Sequence, residues 1–352
     1  MNAEHHRFLD LFQTQLPIIQ APMAGVQDHR LAVAVSNAGG LGSLPAAMLS
    51  LEALNAELTQ LSAKTDKPYN VNFFCHTPPN VSEAREAIWR AALKPYYDEL
   101  GLDASNVPTG PGRAPFTHDA ADVLEAFKPA VVSFHFGLPA PDLLARVKSW
   151  GSKIISSATT VEEALWLESQ GVDAVIAQGL EAGGHRGHFL SHDLTQQMGT
   201  FALLPQIVQS VKIPVIAAGG IADAAGVKAA LALKAAAVQI GTAYLLCDEA
   251  TTSPLHRVAL NSAASQHTAL TNLFTGRPAR GIVNRLMREL GAISDKSPEF
   301  PLATGAIAPI RAAAEKAGNG DFSPLWSGQN ATGCREIGAA ALTRALMHSL
   351  MS

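Results

Sequence analysis

The chain has 352 residues, enough for one large domain with an appendage or for two domains. A hydrophobic fraction of 47% against 16% charged residues implies a sizeable buried core, and a formal net charge of −4 offers no polybasic surface for nucleic acid. Three scattered cysteines, Cys75, Cys247 and Cys334, show neither C-x-x-C nor zinc spacing, which argues against a disulfide framework or a metal site and for a reduced, cytoplasmic protein.

The N-terminus, M-N-A-E-H-H-R-F, lacks a basic segment followed by an apolar one, so no signal peptide is expected. Pro17–Pro22 (P-I-I-Q-A-P) is the first short apolar run. A helical pattern over His29–Ala38 separates it from the second, Leu41–Leu44, and Tyr69–Phe74 is the third. A long excursion, 75–130, follows, with a helical pattern near Val81–Leu93 and then a Pro/Gly-rich loop. The runs resume at Val131–Gly137, Lys153–Ala158, Ala174–Gln178, Pro214–Ala218 and Ala236–Thr242. The Ala-rich stretch Val211–Cys247 is broken by Gly219, Gly220, Asp223, Lys228 and Lys234, so it is no membrane span.

Near-continuous β-branched runs suit parallel strands buried on both faces, and strand–helix alternation implies right-handed βαβ units. Eight such units close naturally into an α/β fold of the (β/α)8 TIM-barrel kind. An open doubly wound sheet is the alternative, weakened because no G-x-G-x-x-G follows the first strand. Strand signals stop after Cys247. The expected organisation is a barrel over 1–247, a smaller, mostly helical domain over 248–330 beside the barrel mouth, and a C-terminal helix within 331–352 packing back on the barrel.

In such barrels chemistry sits at the C-terminal ends of the strands. Those ends carry Ala21, Pro22 and Met23; Asn72; His135; Gln178 with the loop Q-G-L-E-A-G-G-H-R-G; Gly219 and Gly220; and Gln239, Ile240, Gly241 and Thr242. The pair Gly183-Gly184 permits a sharp turn and close approach of backbone to a ligand, with His185 directly after it. Glycine turns after the last two strands form the recurrent phosphate site of this fold, and helices starting near Asp223 and Ala243 would add their dipoles. FMN suits this set better than a nicotinamide cofactor, because its ring needs amide and backbone partners along one edge and an apolar face. A sugar phosphate bound by a flavin-free barrel is a rival. Each residue also has a structural role available. Asn72 could cap a turn, Gln178 could hold a strand end, His135 could be a hydrogen-bonded core residue and His185 a solvated one. Arg186 is either a surface charge or a partner for a carboxylated substrate.

The motifs P-I-I-Q-A-P-M-A-G, G-G-L-G-S-L, V-N-F-F, Q-G-L-E-A-G-G-H-R-G, I-A-A-G-G-I and Q-I-G-T together resemble the nitronate monooxygenases, and V-S-F-H-F-G-L-P with D-F-S-P-L-W-S-G-Q resembles their class I branch. The resemblance implies an FMN enzyme that oxidises alkyl nitronates, propionate 3-nitronate included, by O2 to a carbonyl compound and nitrite, with one-electron transfer to the flavin. Its partners would be the small-molecule nitronate and O2, with no nucleic acid and no membrane. It implies His185 as the active-site histidine and His135 as a second pocket histidine. An NAD(P)H-dependent FMN reductase acting on a quinone or enoyl thioester, and a flavin-binding protein without nitronate activity, are the alternatives within the superfamily.

One stretch departs from the class I pattern. Where that branch carries Y-P-L-A-Y-x-x-x-K, this chain has Phe300, Thr304 and Ala308 at the tyrosine, tyrosine and lysine positions. An aromatic before R-x-P-F is also missing, with Thr109 and Gly110 in its place. Losing a cation and two phenols predicts weaker discrimination in favour of carboxylated nitronates, unless Arg186 or Arg113 compensates.

Overall fold

The computed structural model of the chain describes residues 3–104, 107 and 113–351, so Thr109 and Gly110 lie outside the described residues. In chain order the strands are β1 (Ile18–Gln20), β2 (Gly42–Pro45), β3 (Tyr69–Phe74), β4 (Val131–His135), β5 (Lys153–Ala158), β6 (Ala174–Gln178), β7 (Gly184–His185), β8 (Val215–Ala218), β9 (Ala237–Ile240), β10 (Thr268–Thr271) and β11 (Ala279–Ile282). Strands β1–β6, β8 and β9 are parallel, in the order β1-β9-β8-β6-β5-β4-β3-β2. The two edges then meet. Leu41 N donates to Ile18 O at 2.8 Å and Gln20 N to Leu41 O at 3.0 Å, which closes the sheet into a (β/α)8 barrel. These strands are the eight apolar runs read from the sequence, with shifts only at their ends.

The intervening helices begin where side chains can satisfy their free N–H groups: Asp28, Ser50, Thr160 and Asp223 each accept from a first-turn amide. Leu31, Val35, Leu54, Leu58 and Val227 from these helices bury against Val71, Val132, Val175 and Val238 of the strands. Gly42 lets the first helix lie on β2, since a Cβ there would run into the Ala32 carbonyl. Inside the barrel the floor is apolar. Phe8 and Phe12 of helix Ala3–Phe12 pack with Ile19, Leu41, Ile155 and Ile176. Toward the mouth the interior turns polar: Asn70 Nδ2 donates to Ser43 Oγ and Ser133 Oγ, and Asn72 Nδ2 to Ser133 Oγ. That gradient places a ligand site at the C-terminal mouth.

The reading that strands end at Cys247 is corrected. β10 and β11 pair antiparallel, and β11 continues onto β7, with Ala279 opposite His185 and Arg280 opposite Gly184. Strands this short carry no readable alternation, and the β7–β11 partnership is non-local. The helix Glu83–Glu99 of the 75–130 excursion packs on helix Ala303–Lys316. Trp89 Nε1 donates to Ala303 O (3.2 Å) and Tyr97 Oη to Ala306 O (2.7 Å), within a second apolar cluster that includes Phe274, Leu286 and Phe322. The C-terminal helix Ala339–Met351 lies against helices His29–Asn37 and Ala224–Ala232, burying Leu342 and Leu346. Among the described residues, no helix is long and apolar enough to cross a membrane.

Candidate active site

A cavity opens at the C-terminal ends of the barrel strands, with about 1350 Å³ of empty space including its solvent-filled mouth. This is room for a mononucleotide and a small substrate together. Its wall contains Ala21, Pro22 and Met23 after β1, Asn72 on β3, His135 on β4 and Gln178 on β6. Gly183, Gly184, His185, Gly219, Gly220, Gln239, Gly241 and Thr242 complete the predicted cofactor-and-histidine set. Ile240 is the exception: it is buried among the barrel and helix side chains, because alternate residues of a strand face opposite ways and Gln239 takes the inward position.

One end of the cavity suits an anion. Gly219 (φ +111°) and Gly220 (φ +73°) adopt left-handed backbone, and among the described residues no acceptor pairs with either N–H. Successive free N–H groups of this kind form an anion-binding concavity. Asn330 Nδ2 holds Gly220 O at 3.1 Å, and Thr242 Oγ1 accepts from Gly328 N at 2.9 Å. Gly183 closes the wall, since a Cβ there would sit 2.5 Å from Gly328 N. The expected helix dipoles contribute less than predicted. Asp223 caps helix Ala224–Ala232 with its own carboxylate, and Thr242–Leu246 is only a short 3-10 turn. Gln239 Oε1 and His256 Nε2 are buried, have no hydrogen-bond partner among the described residues, and line the cavity. A ligand edge carrying polar groups would satisfy them, and a flavin fits that requirement.

Three devices hold the His185 segment. It is the edge strand β7 on β11. Gln178 reads its backbone twice, donating from Nε2 to His185 O (2.9 Å) and accepting at Oε1 from Gly187 N (2.7 Å). Arg186 is fully buried and donates to Gly179 O (2.6 Å), Gln178 O (2.7 Å) and Gln197 Oε1 (2.8 Å). Arg186 is therefore neither a surface charge nor a substrate partner. The sequence could not show this, because carbonyls rather than a carboxylate compensate the guanidinium.

His135 Nε2 lies 3.2 Å from His185 O, which can only accept, so that nitrogen carries the proton; Nδ1 then accepts from Ser157 Oγ (3.1 Å). Burial pushes its pKa down to about 3. His185 Nε2 meets Thr275 Oγ1 at 2.9 Å, and its ring stands among Phe300 (5.3 Å between centroids), Trp326 (5.7 Å), Phe136 (5.9 Å) and Phe74 (6.0 Å). Burial first, and then the charge of Arg113, hold the His185 imidazolium well below its ordinary range. The residue is held as a neutral imidazole near neutral pH.

The altered stretch divides, and none of its three predicted pocket residues is in the cavity lining itself. Phe300 is buried beside His185, Thr304 Oγ1 accepts from Arg113 Nη1 at 3.1 Å, and Ala308 is half-buried in helix Ala303–Lys316 outside the cavity wall. The sequence reading missed Thr275, Arg277, His256 and Asn330. Arg277 stands 4.0 Å over the Phe136 ring, and burial lowers its pKa to about 10. No local motif marks these residues, because β10 and β11 and the late loops bring them in from far along the chain.

The closed barrel, with its ligand cavity and buried imidazole at the C-terminal mouth, defines a (β/α)8-barrel enzyme. The chain belongs to the nitronate monooxygenase family, a family of flavin oxidoreductases, whose model matches residues 5–349. It is 42% identical to the nitronate monooxygenase of Pseudomonas aeruginosa over 98% of this chain and 99% of the relative, and 42% identical to that of Paraburkholderia phytofirmans over 97% and 94%. Among solved structures it is similar to nitroalkane oxidase from Streptomyces ansochromogenes (TM-score 0.88, 38% identity, 98% and 97% covered) and to FabK from Thermotoga maritima (TM-score 0.73, 29% identity, 98% and 96% covered).

Proposed function

We propose that this oxidoreductase binds FMN and uses O2 to oxidise alkyl nitronates, propionate 3-nitronate among them, to a carbonyl compound and nitrite. One observation carries the reading: a neutral histidine in an aromatic wall lines the same cavity as a glycine anion nest. Relatives named nitronate monooxygenase support it. Ala21, Pro22, Met23, Asn72, Gln178, Gly183, Gly184, Gly219, Gly220, Gln239, Gly241 and Thr242 would hold the cofactor, which supplies one-electron redox chemistry when bound. The segment 248–330 would supply the substrate side of the site. Three free thiols suit a reducing, cytoplasmic setting.

The rest follows from the chain's own groups. A nitronate is already an anion, so no strong base is needed. The Thr275 hydroxyl sets the His185 tautomer. When Thr275 donates to Nε2, Nδ1–H is free to donate to a nitronate oxygen. When the hydroxyl turns to Arg277 O (3.3 Å), Nε2 keeps the proton and Nδ1 is a base for the α-proton of a neutral nitroalkane. His135 acts by positioning, through the His185 carbonyl.

Released flavin from the purified protein should be FMN, and a nitronate should drive O2 uptake with nitrite release. Recovery of FAD, or of no flavin after reconstitution, would overturn the cofactor assignment. Anaerobic bleaching by NAD(P)H without nitronate turnover would move the reading to an NAD(P)H-dependent FMN reductase.

A further inference from the structure

Arg113 stands in the cavity wall with no acidic partner among the described residues. Its electrostatic surroundings contain only burial and a second cation, Arg311, and both lower its pKa. The nearby residues outside the described set, 105–106 and 108–112, are Ser, Asn, Pro, Thr and Gly, none of them acidic. A guanidinium drawn out of water without a counter-charge is costly unless a ligand supplies one. Arg186 shows the contrast, since backbone carbonyls and a glutamine amide take up its donors.

The hydrogen bonds around Arg113 aim it. Nη1 donates to Thr304 Oγ1, and the Thr304 hydroxyl spends its own proton on Phe274 O at 3.1 Å, so it can only accept from Arg113. Among the described residues Nη2 meets only the Met48 sulfur at 3.9 Å, a weak acceptor. Among the described residues, nothing else accepts from the Arg113 N–H groups, which face an anion's place in the cavity wall. Phe300 joins the two ends of the site: its ring centroid lies 5.8 Å from the Arg113 guanidinium carbon and 5.3 Å from the His185 ring centroid. A phenylalanine adds no hydroxyl to compete for the guanidinium.

We propose that Arg113, held by Thr304 and lying on Phe300, is the residue that selects carboxylated nitronates, binding the carboxylate of a short substrate whose nitronate end lies at His185. This rests on the nitronate reading above. It replaces the expectation of weak discrimination drawn from the altered 300–308 stretch: Phe300 and Thr304 build a cation site around Arg113 in place of a helix lysine.

The test uses the FMN-loaded enzyme, propionate 3-nitronate and propyl-1-nitronate, which has no carboxylate. Arg113→Met should lower the ratio of kcat/KM for the carboxylated over the carboxylate-free nitronate roughly 10- to 100-fold, through KM, as expected for one charge-assisted contact. Arg113→Lys should restore part of it. A calorimetric titration with 3-nitropropanoate reports binding without turnover, and Arg113→Met should weaken it by a similar factor. A ratio that moves less than threefold, with unchanged 3-nitropropanoate binding, overturns the proposal while leaving the nitronate reading intact. If the wild-type enzyme turns over neither nitronate, that reading fails. The Arg113 site then stands if 3-nitropropanoate binding still depends on Arg113, and falls if it does not.

Discussion

At the scale of single residues, the site keeps a titratable side chain neutral by packing it against phenylalanine. His185 pays a desolvation penalty on protonation and feels Arg113 nearby, so its free form holds no charge at pH 7. An arriving nitronate brings the negative charge that the ring can answer with a hydrogen bond. His185→Asn should therefore keep FMN, whose expected contacts lie on other residues, and lose about 10²–10⁴-fold in kcat/KM with a nitronate. Flavin content by absorbance and nitrite release by steady-state assay check both halves. An unchanged kcat/KM would remove His185 from the chemistry.

At the scale of elements, the loop between β6 and β7 works because one buried arginine ties it down. Arg186 bridges two successive carbonyls, Gly179 O and Gln178 O, and a glutamine side chain. Arg186→Met would strand those acceptors out of water. The loss should be about 2–4 kcal/mol, one to two unsatisfied buried groups' worth, with a lower urea midpoint. Arg186→Lys should recover little of it, because an ammonium cannot span the planar set of acceptors. A midpoint within experimental error of the wild type would show that the loop does not depend on this guanidinium.

At the scale of the whole molecule, several histidines are buried neutral. Burial lowers His76 and His256 to about 4 and His135 and His188 to about 3. Each folded-state value lies below the unfolded value near 6.5. The unfolded chain therefore binds more protons as the pH falls below 6.5, and native stability drops through that window. At pH 5 the loss is at most about 2 kcal/mol per histidine, from 1.5 pH units at 1.36 kcal/mol each. Thermal melts should show Tm level above pH 7 and falling steadily from 6.5 to 5. A flat profile to pH 5 would mean that these histidines take up protons without disturbing the fold.

The barrel was legible in the sequence because parallel strands are buried on both faces. Each one therefore appears as a continuous apolar run, whatever its neighbours are. The glycine turns were legible for a local reason too, since left-handed backbone, as at Gly219 and Gly220, is a property of one position. Burial of Arg186, neutrality of His185, the outward turn of Ile240 and the pairing of β7 with β11 were not legible. Nor was the packing of the excursion helix on 303–316. Each depends on a partner far along the chain: Thr275 for His185, Ala279 and Arg280 for β7, Ala303 and Ala306 for Trp89 and Tyr97. Arg113 shows the division most plainly. In the sequence it is one cation after a Pro/Gly loop. Only the tertiary structure sets it in a cavity, without a counter-charge, on a threonine 191 residues away.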